Sequence, residues 1–111
     1  MYEYKAKLIR VIDGDTVDFD IDLGFDSHLY ARVRLLGINT PETYGVKKAT
    51  EEYVTGMQAK NFVVDFLSGK EILIKTEKDK TGKYGRYLAT VYVDGVSLNQ
   101  KLLDEGLAEE Y

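Results

Sequence analysis

The stretch Val17-Asp18-Phe19-Asp20-Ile21-Asp22-Leu23 decides the fold of this chain, because it alternates without exception between apolar and acidic side chains. A period of two predicts a β-strand with one buried face and one wet face. Residues 2–12 before it are mixed apolar and basic and end at an Asp-Gly-Asp turn. Residues 24–27 form a turn after it, and residues 29–36 return as a third strand. Three consecutive strands of this kind indicate an antiparallel meander.

A helical pattern follows the meander. Thr55 and Gln58 have the spacing of a capping box, Gly56 opens the helix, and Gly69 supplies its C-terminal stop. Apolar residues recur at spacings of three and four, which predicts a single buried stripe. The members of that stripe are Ala59, Phe62, Val63, Phe66 and Leu67.

Two more strands and a short helix complete the chain. Residues 71–76 and 87–93 predict strands, and Ser97 and Gln100 form a second capping-box pattern before a helix over about residues 98–105. The predicted fold class is mostly β with α. It is a five-stranded OB-fold barrel with a helix between strands 3 and 4 and a short C-terminal helix. No linker or internal repeat interrupts the pattern, so residues 1–111 are predicted to form a single domain.

Composition narrows the possible chemistry. The chain has 111 residues, 19 acidic and 15 Lys or Arg, and a formal net charge of −4, which argues against binding of nucleic acid through bulk charge. There is no cysteine and a single histidine, His28, so thiolate zinc sites and multi-histidine metal sites are excluded. No apolar run reaches the roughly 20 residues of a membrane span. The remaining chemistry must rest on carboxylates, arginines, tyrosines and a hard cation.

The first candidate cluster is Asp13-Gly14-Asp15-Thr16. Asp15 shares the parity of the apolar residues of the second strand, so its carboxylate is expected to point away from the wet face. A buried carboxylate needs a partner, and a cation or an arginine would serve. The alternative is a tight turn in which the aspartates bond only to the backbone.

The second candidate cluster follows the third strand, where Arg34 lies on the face opposite Val33 and Leu35. Residues 39–42, Asn-Thr-Pro-Glu, bring together an amide, a hydroxyl, backbone carbonyls and a carboxylate. These are hard oxygen ligands of the kind that calcium takes. The alternative is an ordinary polar loop after a strand.

The third candidate cluster, residues 80–86, carries three positive charges, one tyrosine and two glycines without an acidic residue. Arginine offers a planar fork that matches phosphate oxygens, and tyrosine can stack on a base. The alternative is a solvated hairpin. An acidic pocket with an arginine, together with a basic aromatic loop, suits a phosphodiester and a divalent ion. Six of the aspartates fall within residues 11–31, which places the acidity beside the candidate metal site and leaves 13 acidic and 15 basic residues elsewhere.

Four segments resemble, in order and in spacing, those of the staphylococcal nuclease (thermonuclease) family. They are VIDGDTV at 11–17, VRLLGINTPE at 33–42, KYGRYLA at 83–89 and GLA at 106–108, and GMQA at 56–59 is similar to the start of the family's long helix. The resemblance covers nearly the whole chain. It implies an OB barrel and calcium-dependent cleavage of phosphodiesters in DNA and RNA. Our hypothesis from the sequence is a nuclease of this kind that prefers single-stranded or frayed substrate.

The resemblance also implies residue roles around a bound calcium ion. Asp15 would be the direct carboxylate ligand, Asn39 would occupy the second side-chain ligand position, and Thr40 would contribute its backbone carbonyl. Asp13 would support the metal from the second shell. The family's usual residue at the second position is aspartate. Asn39 keeps the oxygen but removes one negative charge, so calcium is expected to bind more weakly and activity to be reduced.

The remaining implied roles concern the phosphate. Arg34 and Arg86 would clamp the scissile group, and Glu42 would orient or deprotonate the attacking water. Lys83 and Tyr84 would hold a neighbouring phosphate. The physics is consistent, since arginine forks and a cation stabilise negative charge where it develops.

The end of the chain departs from the family. Tyr111 fills the position of a tyrosine that packs against the nucleotide base, and the well-known member carries a further helix beyond this point. A missing helix leaves apolar surface for a protein partner, so the chain is expected to be a monomer or weak dimer. The tail residues Glu105, Glu109 and Glu110 would repel nucleic acid.

A rival hypothesis is a catalytically weak or silent OB-fold module that binds nucleic acid or a protein. The set Asp15, Arg34, Glu42 and Arg86 favours an enzyme, and Asn39 favours the rival. The N-terminus lacks a signal-peptide pattern, which suggests a cytoplasmic or phage-encoded intracellular protein and leaves secretion open.

Overall fold

Five long strands and two helices make up most of the computed structural model, which describes residues 2–43, 50–81 and 87–111, with only the backbone for residues 77–81. The helices and strands, in chain order, are β1 (Tyr2–Asp13), β2 (Thr16–Gly24), β3 (Ser27–Leu35), β4 (Ile38–Asn39), α1 (Glu51–Leu67), β5 (Ile72–Thr81), β6 (Tyr87–Val93), β7 (Val96–Ser97), α2 (Leu98–Asp104) and β8 (Glu109–Glu110).

The long strands close into a barrel. Antiparallel pairing runs in the order β3-β2-β1-β5-β6, which confirms the predicted meander. A parallel pairing between β3 and β6, in which Val33 faces Tyr87 and Leu35 faces Ala89, joins the two edges. The five-stranded barrel, with α1 between its third and fourth strands and α2 near the C-terminus, is therefore the predicted fold. Neither helix of the described chain has the length and apolar character needed to cross a bilayer.

The alternation in β2 separates core from surface as far as Ile21, whereas Leu23, which continues the apolar parity at the end of the strand, is exposed. Val17, Phe19 and Ile21 are buried in the barrel core. Asp18 lies on the outer face, in register with basic residues on both neighbouring strands, and accepts hydrogen bonds from Arg10 and from Arg32. The expectation that the acidity of this region gathers beside a metal site was therefore wrong for β2. Asp18 and Asp20 pair with neighbouring strands on the outer surface of the barrel, and Asp22 accepts from the backbone N–H of Gly24.

Helix α1 begins earlier than the capping-box pattern suggested. Its N-cap is Thr50, whose hydroxyl accepts a hydrogen bond from the backbone N–H of Tyr53. The predicted cap at Thr55 was wrong, because the Thr55 hydroxyl instead donates to the carbonyl of Glu51 within the helix. Gly56 consequently lies inside the helix and forms part of its buried stripe, with Ala59, Val63 and Leu67.

Helix α2 begins at its predicted cap, and a buried amide ties it to the barrel. The Ser97 hydroxyl accepts from the backbone N–H of Gln100. Asn99 accepts from the N–H of Val91 at 3.1 Å and donates to the carbonyls of Leu36 and Ala89 at 2.9 and 3.2 Å. One side chain thus fastens α2 to β6 and to the residue that follows β3, next to the segment that carries the candidate site.

Candidate active site

The two-residue turn between β1 and β2 delivers a buried carboxylate. Asp15 is only 7% exposed, in agreement with its parity in the sequence. Its Oδ1 accepts a hydrogen bond from the Thr16 hydroxyl at 3.0 Å, and its Oδ2 accepts from the backbone N–H of Thr40 at 3.1 Å. The backbone carbonyl of Asp15 accepts from Leu35 at 2.8 Å. The carboxylate is therefore fixed between the ends of β2, β3 and β4.

Arg34 supplies the positive charge that this carboxylate needs. Its Nη2 lies 3.4 Å from Asp15 Oδ2 and donates to Asn39 Oδ1 at 2.9 Å, while its Nη1 donates to the carbonyl of Ile38 at 3.1 Å. Only 13% of the Arg34 side chain is exposed. One guanidinium nitrogen thus stands between the carboxylate oxygen of Asp15 and the amide oxygen of Asn39.

Thr40 is buried directly behind these groups. Its side-chain hydroxyl is buried and has no hydrogen-bond partner among the described residues. Gly14 allows the close approach, because a Cβ at that position would lie 2.8 Å from Ala59 Cβ and 3.0 Å from the Thr40 hydroxyl oxygen. The turn, the loop and α1 therefore meet at van der Waals contact beneath Asp15.

The segment that carries Glu42 lies across α1 at Gly56. A Cβ at Gly56 would lie 2.7 Å from the carbonyl oxygen of Pro41 and 3.0 Å from that of Glu42. Glu42 is exposed, and its carboxylate forms no ion pair with any residue in the described ranges. Gly56, predicted from the sequence to open the helix, lies inside it at the place where this segment crosses, a role that has no signal in the local sequence.

Asp13 holds the other end of the same segment. Its Oδ1 accepts hydrogen bonds from the backbone N–H of Thr43, at 3.2 Å, and from the Thr43 hydroxyl. In the described structure, Asp13 therefore anchors the residue after Glu42, and its support of a metal stays a prediction. Thr43 was missed in the sequence, where an Asp–Thr pair 30 residues apart gives no local signal.

The C-terminus returns to the site as a short strand. β8 pairs antiparallel with β4, and the N–H of Tyr111 donates to the carbonyl of Gly37 at 3.0 Å. The Tyr111 ring centroid lies 4.8 Å from Cζ of Arg34, which is a cation–π contact, and the residue is 84% exposed. The predicted substrate-binding tyrosine thus lies on the predicted phosphate-binding arginine.

The predicted site residues of the basic loop, Lys83, Tyr84 and Arg86, lie outside the described residues. Tyr87, the residue after Arg86 in the chain, begins β6 and is paired with Val33 beside Arg34. The described site therefore consists of Asp15, Arg34, Asn39, Thr40 and Tyr111, flanked by the Glu42 segment.

The oxygen groups of this site suit a hard cation. The Asp15 carboxylate, the Asn39 amide oxygen and the backbone carbonyl of Thr40 are ligands of the type that calcium takes. Asp15 and Asn39 already direct their oxygens toward one positively charged nitrogen of Arg34. Within the described ranges, no three His, Cys, Asp or Glu residues converge as a metal cluster. A cation here would therefore depend on one firm carboxylate and on neutral oxygens.

Comparison with known proteins identifies the family to which the chain belongs. A family model described as "Staphylococcal nuclease homologue" matches residues 32–111. The chain belongs to the staphylococcal nuclease family. The match begins in β3, includes Arg34 and the loop after it, and runs to the end of the chain.

Individual members of the staphylococcal nuclease family are similar over most of this chain. It is 42% identical to a thermonuclease of Staphylococcus intermedius, over 89% of its own length and 55% of that protein. It is 39% identical to a thermonuclease of Staphylococcus hyicus, over 96% of its own length and 59% of that protein. It is 37% identical to an SPbeta prophage-derived endonuclease of Bacillus subtilis, over 91% of its own length and 32% of that protein. The chain thus spans less than three fifths of each of these relatives.

Proposed function

We propose that this chain is a calcium-dependent nuclease that hydrolyses phosphodiester bonds of DNA, RNA or both, with preference for single-stranded or frayed substrate. The observation that carries the proposal is the contact of Arg34 with Asp15 and Asn39, at the ends of β3 and β4. The thermonucleases and the endonuclease among its relatives support the same reaction class.

The roles follow from the charges in the site. Asp15, Asn39 and the carbonyl of Thr40 would hold calcium, which when bound supplies positive charge for the phosphate oxygens. Arg34, with two directed N–H groups, stabilises the negative charge that develops on the phosphorus oxygens during attack. Glu42, exposed and without an ion-pair partner in the described chain, orients or deprotonates the attacking water.

The residues of the basic loop complete the proposal by resemblance. Arg86 provides the second guanidinium for the scissile phosphate, and Lys83 and Tyr84 hold a neighbouring phosphate. Tyr111, whose exposed ring already covers Arg34, offers a flat surface to a nucleobase. A duplex keeps its bases stacked inside, so stacking of this kind favours single-stranded or frayed ends.

Asn39 reduces the strength of the proposed calcium site. An amide oxygen binds the ion without contributing a charge, so affinity and activity are lower than with aspartate at this position. The same observation supports the second candidate function, a catalytically weak OB-fold module that binds nucleic acid or a protein. In that case Arg34 would stay engaged by Asp15, Asn39 and Tyr111, as it is in this structure.

The test is cleavage of heat-denatured DNA and of RNA with calcium or with chelator. Arg34→Ala and Arg86→Ala are compared with Arg10→Ala, which removes an arginine that pairs with Asp18 on the outer face. We expect cleavage with calcium by the wild type and Arg10→Ala, and loss of at least 100-fold (roughly 3 kcal/mol of transition-state stabilisation) in the two site variants. Cleavage that persists in chelator contradicts the mechanism. Absence of cleavage at millimolar calcium favours the binding module.

A further inference from the structure

The short strand β8 brings an unassigned carboxylate to the candidate calcium site. In the antiparallel pairing of β4 with β8, Asn39 is in register with Glu109, and Ile38 with Glu110. Residues directly opposite in an antiparallel pair point to the same face, with Cβ atoms about 4.5–5.5 Å apart. The amide oxygen of Asn39 accepts from Nη2 of Arg34, the nitrogen that also contacts Asp15, so the face shared by Asn39 and Glu109 is the face of the site.

The register matters because the candidate site has few negative charges of its own. Among the described residues at the site, Asp15 is the buried carboxylate, and Asn39 contributes an oxygen without charge. Glu109 is exposed, and its carboxylate forms no ion pair with any described residue. A carboxylate side chain with two rotatable methylene groups, starting about 5 Å from the Asn39 side chain, reaches a cation held there or the water around it.

We propose that Glu109 supplies the second negative charge of the calcium site, across the β4–β8 pair, in compensation for the neutral amide at Asn39. This inference rests on the proposed function, because it concerns the same cation. Without calcium, the same carboxylate repels substrate phosphate. With calcium bound, Glu109 strengthens the binding of the ion, and the ion in turn attracts the substrate phosphate. Strand β8 therefore makes substrate binding depend on calcium.

The test measures calcium binding by isothermal titration calorimetry, independently of cleavage. Glu109→Gln is compared with Glu110→Gln, which makes the same charge change one residue away, opposite Ile38. A unit charge about 6 Å from a dication in water-like surroundings changes affinity roughly tenfold, and salt reduces this to several-fold. At physiological salt we expect Glu109→Gln to raise the calcium Kd about three- to fivefold, and Glu110→Gln to raise it less than twofold.

A second part of the experiment moves the negative charge from position 109 to position 39. Asn39→Asp alone should lower the calcium Kd, and Asn39→Asp combined with Glu109→Gln should return it to within about twofold of wild type. Equal effects of Glu109→Gln and Glu110→Gln overturn the inference while the wild type still binds calcium and cleaves. Absence of calcium binding by both the wild type and Asn39→Asp overturns the proposed function instead. Thermal melts identify any variant that fails to fold.

Discussion

Replacement of Gly56 by alanine tests how the Glu42 segment is positioned. The added Cβ would lie 2.7 Å from the carbonyl oxygen of Pro41 and 3.0 Å from that of Glu42. Both neighbours are backbone atoms, so neither can turn aside as a flexible side chain would. The segment is also held at its two ends, since Thr40 bonds to Asp15 and Thr43 bonds to Asp13. Relief of the contact must therefore move α1 or the backbone around Glu42.

The expected effect on stability is small, because two contributions oppose each other. Alanine stabilises a helix interior by about 1 kcal/mol relative to glycine, and overpacking costs about 1–3 kcal/mol. We expect Gly56→Ala to lower the free energy of unfolding by about 0–2 kcal/mol. The effect on cleavage should be much larger, because a displacement of about 1 Å at a catalytic group costs on the order of 100-fold in rate.

The assay combines urea unfolding with the cleavage rate of denatured DNA at saturating calcium. Asn61→Ala is the matched control, since it also raises helix propensity in α1 but at an exposed position. We expect Asn61→Ala to cleave like wild type and to gain about 0.5 kcal/mol. If Gly56→Ala cleaves within twofold of wild type, the position of the Glu42 segment does not control the rate and the reasoning fails.

Two further predictions concern the barrel. The hydrogen bond from Arg32 holds the pKa of Asp18 below its ordinary value. The pair therefore stabilises the folded protein fully at pH values above the pKa that Asp18 has in the unfolded chain. The stabilisation is lost as the pH falls through the lower pKa of Asp18 in the folded protein. Urea unfolding should show Asp18→Asn less stable by about 0.2–1 kcal/mol near neutral pH and equal to wild type near about pH 2, and a constant difference would contradict this. Asn99→Ala should cost about 2–3 kcal/mol in the same assay, because the N–H of Val91 and two carbonyls lose their buried partner. The exposed Gln100→Ala serves as control, and equal losses would refute the role of the buried amide.

Local patterns were sufficient for the barrel and for the buried acid. The alternation of β2 indicated which side chains enter the core as far as Ile21, and the same parity extended backward to Asp15. The order of strands and helices then led to the correct architecture, because period and turn chemistry are properties of neighbouring residues. The α2 cap at Ser97 was read correctly for the same reason.

Local sequence patterns could not predict contacts between residues that are far apart in the chain. Thr50 and Thr55 both precede apolar helical residues, and the local pattern does not distinguish which of them is the N-cap of α1. The two-residue strands β4 and β8 have no periodicity to detect, so the register of Glu109 against Asn39 was invisible in the sequence. The triple hydrogen bonding of Asn99 is likewise a product of the assembled fold.

The parallel pairing of β3 with β6 links folding to chemistry. It joins residues 33–35 to residues 87–89, which lie about half a chain length away in the sequence, and it includes Arg34, which is in register with Leu88. Contacts so far apart in sequence form late, because the entropy of closing the intervening chain must be overcome first. A barrel open at this seam can retain its meander and α1, but Arg34 would lose β6, one of its two neighbouring strands. The surroundings of Arg34 on which the proposed activity depends should therefore be completed late in folding and be lost when this seam opens, before any loss of helix signal.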